Sequence, residues 1–170
     1  MLGWEADFAE FFAARASSLR RLAYALCGDW HTAEDIVQGA FVRLYRQWRR
    51  VRPETADAYV RRSVVNAYMS HRRDRRREWV SSAPPDRPAP PGPDAAARLD
   101  LDRALATLPK QQRVMVVLRH LEDLPVSEVA LLLGVAEGTV KSQTARGVQA
   151  LRAALGDPVT RTDEVRGSRR

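Results

Sequence analysis

A single cysteine, Cys27, stands in a chain of 170 residues. No disulfide can form within the chain, which fits a reducing cytosol. Histidine is almost as scarce: His31, His71 and His120 are the only three. Cys27 and His31 have metal-like spacing, but the other histidines supply no matching second pair. A buried, structural Cys27 is therefore expected, with no metal site. No window reaches the ~18 apolar residues of a membrane span. The opening MLGWEADFAEFF carries acids where a secretory leader carries a basic stretch. A cytoplasmic protein away from membranes is expected. Catalytic signatures are also missing. There is no Gly-rich phosphate loop, no H-E-x-x-H, no G-x-S-x-G and no supported cysteine–histidine pair. Asp100 and Asp102 are close in sequence, but side chains at i and i+2 of a helix point apart. No catalytic residue and no cofactor is expected, and the chain does not read as an enzyme.

Lysine is rare as well. Lys110 and Lys141 are the only lysines among 28 cationic residues, yet the net charge is +7 and the pI about 10.4. A basic chain of this kind suggests a polyanion partner, most often nucleic acid. Arginine suits phosphate and base-edge contacts, although a GC-rich coding sequence enriches it too. Hydrophobic residues make up 45% of the chain, enough for a core. Split in two, each half is near the size where one core is marginal.

The apolar residues recur at helical spacing nearly throughout. Phe8, Phe11, Phe12, Ala16, Leu19, Leu22, Ala23 and Leu26 can line one face of a helix over 5–26, which Gly28-Asp29 ends. A second helix over 32–49 repeats Ile36, Ala40, Leu44 and Trp48. Thr32 and Asp35 resemble a capping box at its start. Gly39 lies inside it, at about 1 kcal/mol against alanine, and marks either a close backbone approach or nothing. Residues 50–57 read as a loop, with Thr55 or Asp57 capping a third helix over 57–79. That helix interleaves seven arginines with aromatics. The pattern fits nucleic acid, with arginines on phosphates and rings stacked on unpaired bases. The less favoured alternative is a solvated basic helix end, where cations also suit the C-terminal dipole.

Residues 80–97 hold six of the ten prolines. They read as a semi-rigid, extended linker. It divides the chain into a module over 1–79 and another over 98–156, with a polar, disordered tail over 157–170. The charge is uneven, about +5 over 1–80 and +2 over 98–155. Beyond the linker, Leu99, Leu101, Leu105 and Leu108 mark one amphipathic helix. Pro109 opens another, carrying Val114, Val117, Leu118 and Leu121. Then comes PVSEVALLLGVAEGTVKSQTARGVQALR (125–152), two helices around a turn. Val126, Val129, Ala130 and Leu133 give the first one apolar face, with Ser127 or Val126 at its start. Gly134 stands where a positive φ is cheapest. Val140, Val148, Leu151 and Leu155 line the second, which turns Ser142, Arg146 and Gln149 outward with Lys141 on a flank. This is either a helix-turn-helix, whose second helix enters a major groove, or a plain αα-hairpin. The fold class expected is all-α: an N-terminal bundle of three to four helices, a proline linker and a C-terminal four-helix module.

Two stretches carry a family resemblance. Residues 22–48 (LAYALCGDWHTAEDIVQGAFVRLYRQW) and 58–78 (AYVRRSVVNAYMSHRRDRRRE) resemble the second conserved region of bacterial sigma factors. Residues 105–152 resemble the fourth. With no first region and no full third region between them, the chain resembles the extracytoplasmic-function (ECF) group of the sigma-70 family. GDWHTAED, RRSVVNA and EGTVKSQTARG are similar to the actinobacterial SigE-type subfamily.

The resemblance implies a factor that binds core RNA polymerase and directs it to promoters, recognising the −35 element as duplex and the −10 element as single strand. The 32–48 helix would dock on the clamp helices of the largest core subunit through Asp35, Gln38 and Arg43. The fourth region would meet the flap of the second largest. Many relatives carry Glu where this chain has Gly39. The 50–57 loop with Asn66 would receive a flipped base of the −10 element, and Tyr59, Arg61, Arg62, Arg72 and Arg73 would hold the opened strand. Lys141, Ser142, Gln143, Ala145 and Arg146 would face the −35 duplex. Relatives often have Arg-Leu at the positions of Gln143-Thr144. Thr144 falls on the apolar side and is expected to pack, its hydroxyl bonded to a backbone carbonyl. An anti-sigma factor is the further partner the family suggests. The alternative is a helix-turn-helix activator that acts on duplex DNA without entering polymerase.

Overall fold

A computed structural model of the chain describes residues 3–71 and 93–156. Arg72 and Arg73, most of the expected linker and the expected tail lie outside them. The described residues form α1 (Gly3–Cys27), α2 (Trp30–Gln47), α3 (Pro53–Ser70), α4 (Pro93–Thr107), α5 (Lys110–Val116), a π-helical turn (Val117–Leu121), α6 (Val126–Leu133) and α7 (Glu137–Leu155). No strand occurs among them, so the all-α expectation is met.

The helix ends correct the sequence reading in several places. Asp29, extended at φ −137° and ψ 126°, caps α2, and its carboxylate accepts from the Thr32 backbone N–H at 2.8 Å and from the Thr32 hydroxyl at 2.6 Å. The expected Thr32–Asp35 capping box does not form: α2 starts at Trp30, so Asp29 is the cap and the Thr32 N–H and hydroxyl are both taken by its carboxylate. Burial works against the Asp29 charge, but the hydrogen bonds from Thr32 and the His31 backbone outweigh it and hold the carboxyl below its usual range. Pro53 starts α3 four residues earlier than expected, so the 50–57 loop shrinks to a turn over 48–52. At its other end His71 takes ψ 110° and leaves the helix, short of the expected 79. Pro93 likewise opens α4 inside the stretch read as extended. Proline suits a first helical position, where its missing N–H has no intrahelical partner. Leu99, expected on the apolar face of α4, is 54% exposed instead.

The helix after Pro109 changes gauge partway. From Val117 it widens to π geometry, with the Glu122 N–H donating to the Val117 carbonyl at 3.1 Å. Asp123 follows at φ 56°, an unusual value for a residue with a Cβ. This sets the corner from which the chain enters α6. Val126 rather than Ser127 opens α6, and Gly134 closes it in the left-handed region (φ 66°, ψ 38°) with its N–H on the Ala130 carbonyl. The helix-turn-helix is formed, with Val129 and Ala130 packed toward Val140, Thr144 and Leu151.

The two modules do not stand apart. α1–α3 and α4–α7 bury their apolar faces in one continuous core. α1 touches α4, α5 and the π turn, while α3 touches α5 and α6. Polar groups cross the same boundary. Arg113, 9% exposed, donates to the Leu26 carbonyl at 2.7 Å and to the Ala106 carbonyl at 2.7 Å. These are carbonyls at the C-terminal ends of α1 and α4, which a cation satisfies both as donor and against the helix dipole. The Tyr24 hydroxyl donates to Asp102 at 3.0 Å, and its ring stacks on Trp30 with centroids 4.2 Å apart. Burial, reinforced by the Asp102 charge, pushes the Tyr24 phenol up to about 12. Lys110 reaches the Tyr68 and His71 carbonyls at the end of α3.

Candidate nucleic-acid and polymerase interfaces

Three outward stripes carry the residues singled out from the sequence. On α2, Asp35, Gln38 and Arg43 are all exposed. Asp35, Gly39 and Arg43 recur at i+4 and line an open groove of about 450 Å³ that Ala67 of α3 and His71 just past its end close on the far side. Gln38 points past it. His31 sits 3.9 Å from Asp35 at the groove end. A Cβ at Gly39 would meet only the Arg43 guanidinium, at 3.7 Å, so the glycine answers no packing demand.

On α3, Tyr59, Arg62 and Asn66 recur at i, i+3 and i+7 and share one face. Arg62 and Asn66 are exposed and Tyr59 is half-buried. Arg61 turns away from this stripe. Its side chain is 12% exposed, with Asp57 at 3.0 Å and Glu122 at 3.4 Å. Asp57 is held from the other side by Arg15, whose Nε donates to it at 2.6 Å. Arg61 Nε has no hydrogen-bond acceptor despite the nearby Glu122 carboxylate, so that contact is charge attraction without alignment. The 48–52 turn and Asn66 are not brought together. Thirteen residues of helix separate Pro53 from Asn66, about 20 Å along the axis. The turn borders a different cleft, lined by Trp4, Phe11, Trp48, Val51 and Pro53.

On α7, Lys141, Ser142, Ala145 and Arg146 are exposed and Gln143 is half-buried. Ser142 donates back to the Thr139 carbonyl at 3.2 Å. Thr144 packs as expected, at 9% exposure, but its hydroxyl is buried without a partner rather than bonded to a carbonyl. The helix is seated by Gly147, where a Cβ would fall 2.5 Å from Val116 Cγ2. Only glycine lets α7 approach α5 this closely. Sequence reasoning missed Gly147, Arg113 and Glu122. Arg113 did leave a signal, since it stands four residues before Val117 on an otherwise apolar register.

Comparison with known proteins matches this arrangement. Sigma-70 region 2 matches residues 11–78, and Sigma-70 region 4 matches residues 98–151. The RNA polymerase sigma-E factor of Streptomyces coelicolor is 36% identical over 161 residues, covering 91% of this chain and 89% of that protein. The ECF RNA polymerase sigma factor SigE of Mycolicibacterium smegmatis is 36% identical over 152 residues, covering 84% of this chain but only 59% of that protein. The sigma factor RpoE of Bartonella quintana, solved in complex with the anti-sigma factor NepR, superposes with a TM-score of 0.73 at 25% identity, covering 89% of this chain and 98% of that one.

A two-module helical chain with a helix-turn-helix and a region 2 bundle defines a sigma factor. The chain belongs to the ECF group of the sigma-70 family, with SigE-type relatives. It is a non-enzymatic subunit that binds core RNA polymerase and directs transcription from promoters. The activator alternative used only residues 125–152 and is set aside by the match over 11–78. Among the described residues, no helix is long and apolar enough to cross a membrane.

Proposed function

We propose the following division of labour among the three stripes. The α2 stripe of Asp35, Gln38 and Arg43 docks on the polymerase clamp helices. The α3 stripe of Tyr59, Arg62 and Asn66 holds the opened −10 strand, by stacking, phosphate pairing and base-edge bonding respectively. Arg72 and Arg73, outside the described residues, are assigned to the same strand by the sequence alone. The exposed face of α7, with Lys141, Ser142, Gln143, Ala145 and Arg146, reads the −35 duplex, and Arg146 is suited to a guanine edge. The observation that carries this reading is that each stripe is exposed, apart from the half-buried Tyr59 and Gln143, while the opposite face of the same helix is buried in the core. The protein works in the cytoplasm with its polymerase.

An anti-sigma factor is a further partner. The support is that the Bartonella sigma factor, whose chain overlays both modules, is solved with one.

Run-off transcription with purified core polymerase tests the assignment. Arg146→Ala should weaken discrimination at the −35 element and leave core binding intact. Asn66→Ala should impair open-complex formation more than duplex engagement. Equal loss of core binding in both variants would contradict the division.

A further inference from the structure

Periodicity turns Gln149 outward on α7, and the −35 assignment leaves it unused. Its neighbours fix where it points. Val140, Thr144, Gly147 and Leu151 form the buried side of the helix, with Gly147 close against Val116 of α5. At 3.6 residues per turn, Ser142, Ala145, Arg146 and Gln149 fall opposite them, within about 100° of one another. All four are exposed. Their spacing is i, i+3, i+4 and i+7, the set that a helix lying in a major groove turns to base edges. Lys141 and Gln143 lie roughly 90–110° to either side of that centre line, toward the flanks where phosphates run. Gln143 is also half-buried. Of the two glutamines of α7, then, Gln149 is the one on the reading face.

We propose that Gln149 is a specificity-determining residue of α7, which selects an adenine in the −35 duplex beside the guanine read by Arg146, and that Gln143 lies toward the phosphates.

The chemistry of the four side chains narrows the choice. Ala145 has no polar group and suits a thymine methyl. The Ser142 hydroxyl already donates to the Thr139 carbonyl at 3.2 Å. Arg146 and Gln149 remain as the long polar side chains of the face. A glutamine amide offers a donor and an acceptor side by side, and adenine presents their complements at N7 and N6. Among the described residues nothing bonds the Gln149 amide, so reading a base breaks no contact within the protein. Position agrees with this pairing. Gln149 lies three residues past Arg146, about 4.5 Å along the axis, against roughly 3.4 Å between neighbouring base pairs. The adenine therefore falls within about two base pairs of the guanine. The register is pinned as well, since rotating Gln149 off the face would expose Leu151 and drive the helix away from Val116. The inference rests on the reading of α7 as the −35 helix, and the test separates the two.

The test uses the full-length protein assembled with core polymerase. The probe is a pool of promoter duplexes randomised over about one helical turn, ~10 base pairs, across the −35 region. Sequencing the bound duplexes gives the base preference at each position for wild type, Gln149→Ala, Gln149→Glu, Gln143→Ala and Arg146→Ala. Alanine and glutamate are good helix formers, so α7 is kept in the Gln149 variants. Wild type should select an adenine within about two base pairs of a guanine. Gln149→Ala should lower that adenine preference on the order of tenfold and leave the other positions as they are. Gln149→Glu should move the preference to cytosine, whose N4 amine donates to a carboxylate, a gain that no loss of folding can mimic. Gln143→Ala should weaken all sequences alike. A uniform loss in Gln149→Ala, an unchanged profile, or an adenine preference lost in Gln143→Ala instead overturns the assignment of Gln149, provided Arg146→Ala still loses its guanine. If Arg146→Ala also leaves the profile unchanged, the reading of α7 as the −35 helix falls, and the inference with it.

Discussion

Arg113 and Leu26 lie in different modules, and the guanidinium of one caps the carbonyl of the other at 2.7 Å in the protein interior. A cation is buried here without depending on a carboxylate. Its acceptors are carbonyls at helix ends, groups that would otherwise be orphaned on both sides of the boundary.

Removing that cation should therefore cost more than a surface arginine. Arg113→Met keeps the volume but strands the Leu26 and Ala106 carbonyls. We expect a loss of roughly 2–4 kcal/mol in urea unfolding, since hydrogen bonds to charged groups are each worth about 1.5–3 kcal/mol. Because the two modules share one core, wild type and Arg113→Met should each unfold in a single transition, the variant at lower urea. A variant within experimental error of wild type would show that the Arg113 hydrogen bonds add nothing to the junction.

Two glycines on helices should respond to alanine in opposite ways. At Gly147 the new Cβ would meet the stiff Val116 side chain at 2.5 Å. Gly147→Ala should destabilise by about 1–3 kcal/mol, as overpacking does, and should weaken −35 duplex binding by shifting the recognition helix. Val116→Ala in the same chain should restore much of both. At Gly39 only the mobile Arg43 head is near. Gly39→Ala should raise stability by up to about 1 kcal/mol through helix propensity. Thermal melts of the four proteins, with a duplex-binding assay for the Gly147 pair, decide the matter.

These residues also mark what the sequence could convey. The helix-turn-helix was legible because Gly134 falls one residue after an apolar period ends, a purely local signal. α2 was legible for the same reason, although its cap was not. Asp29 and Thr32 are both good caps, and local sequence does not choose between them; in the fold the helix starts at Trp30 and Asp29 takes the role. The π turn escaped because widening a helix by one residue barely disturbs the spacing of Val114, Val117, Leu118 and Leu121. Ser142 and Arg146 on the outer face of α7 followed from periodicity and the α2 stripe from the family resemblance, but the placement of Arg61 followed from neither. Its partner Glu122 lies in the other module, and no local pattern joins them. The same distance hid the shared core, so the two modules read as separate units on a linker.

The lone thiol, expected to be buried, is half-buried at the edge of the core because it ends α1, and it offers a simple check on that edge. Cys27 donates to the Asp29 carbonyl at 3.2 Å, and burial pushes its thiol up to about 11 from 9.0. At a fixed pH below 9 the thiolate fraction falls about 100-fold, and alkylation proceeds through the thiolate. Iodoacetamide should label native protein about 100-fold more slowly than urea-unfolded protein. Comparable rates would place the α1 end in solvent, against the buried junction with Arg113.

The Tyr24 phenol reports on the same junction through pH. Its ordinary value is 10.0, and in the folded chain it is pushed up to about 12, first by burial and then by the Asp102 carboxylate of the other module. A raised folded value means that folding favours the protonated phenol. The stabilisation it gives is complete below pH 10 and is lost as pH rises from 10 toward 12. Absorbance at 295 nm should thus show a late-titrating tyrosine that Tyr24→Phe removes. Asp102→Asn should bring its midpoint down but not back to 10, because burial by Trp30 remains. The melting temperature of wild type should also fall more steeply between pH 10 and 12 than that of Tyr24→Phe. A midpoint indifferent to Asp102→Asn would mean that the modules are apart in solution, since the carboxylate reaches Tyr24 only when α4 lies against α1.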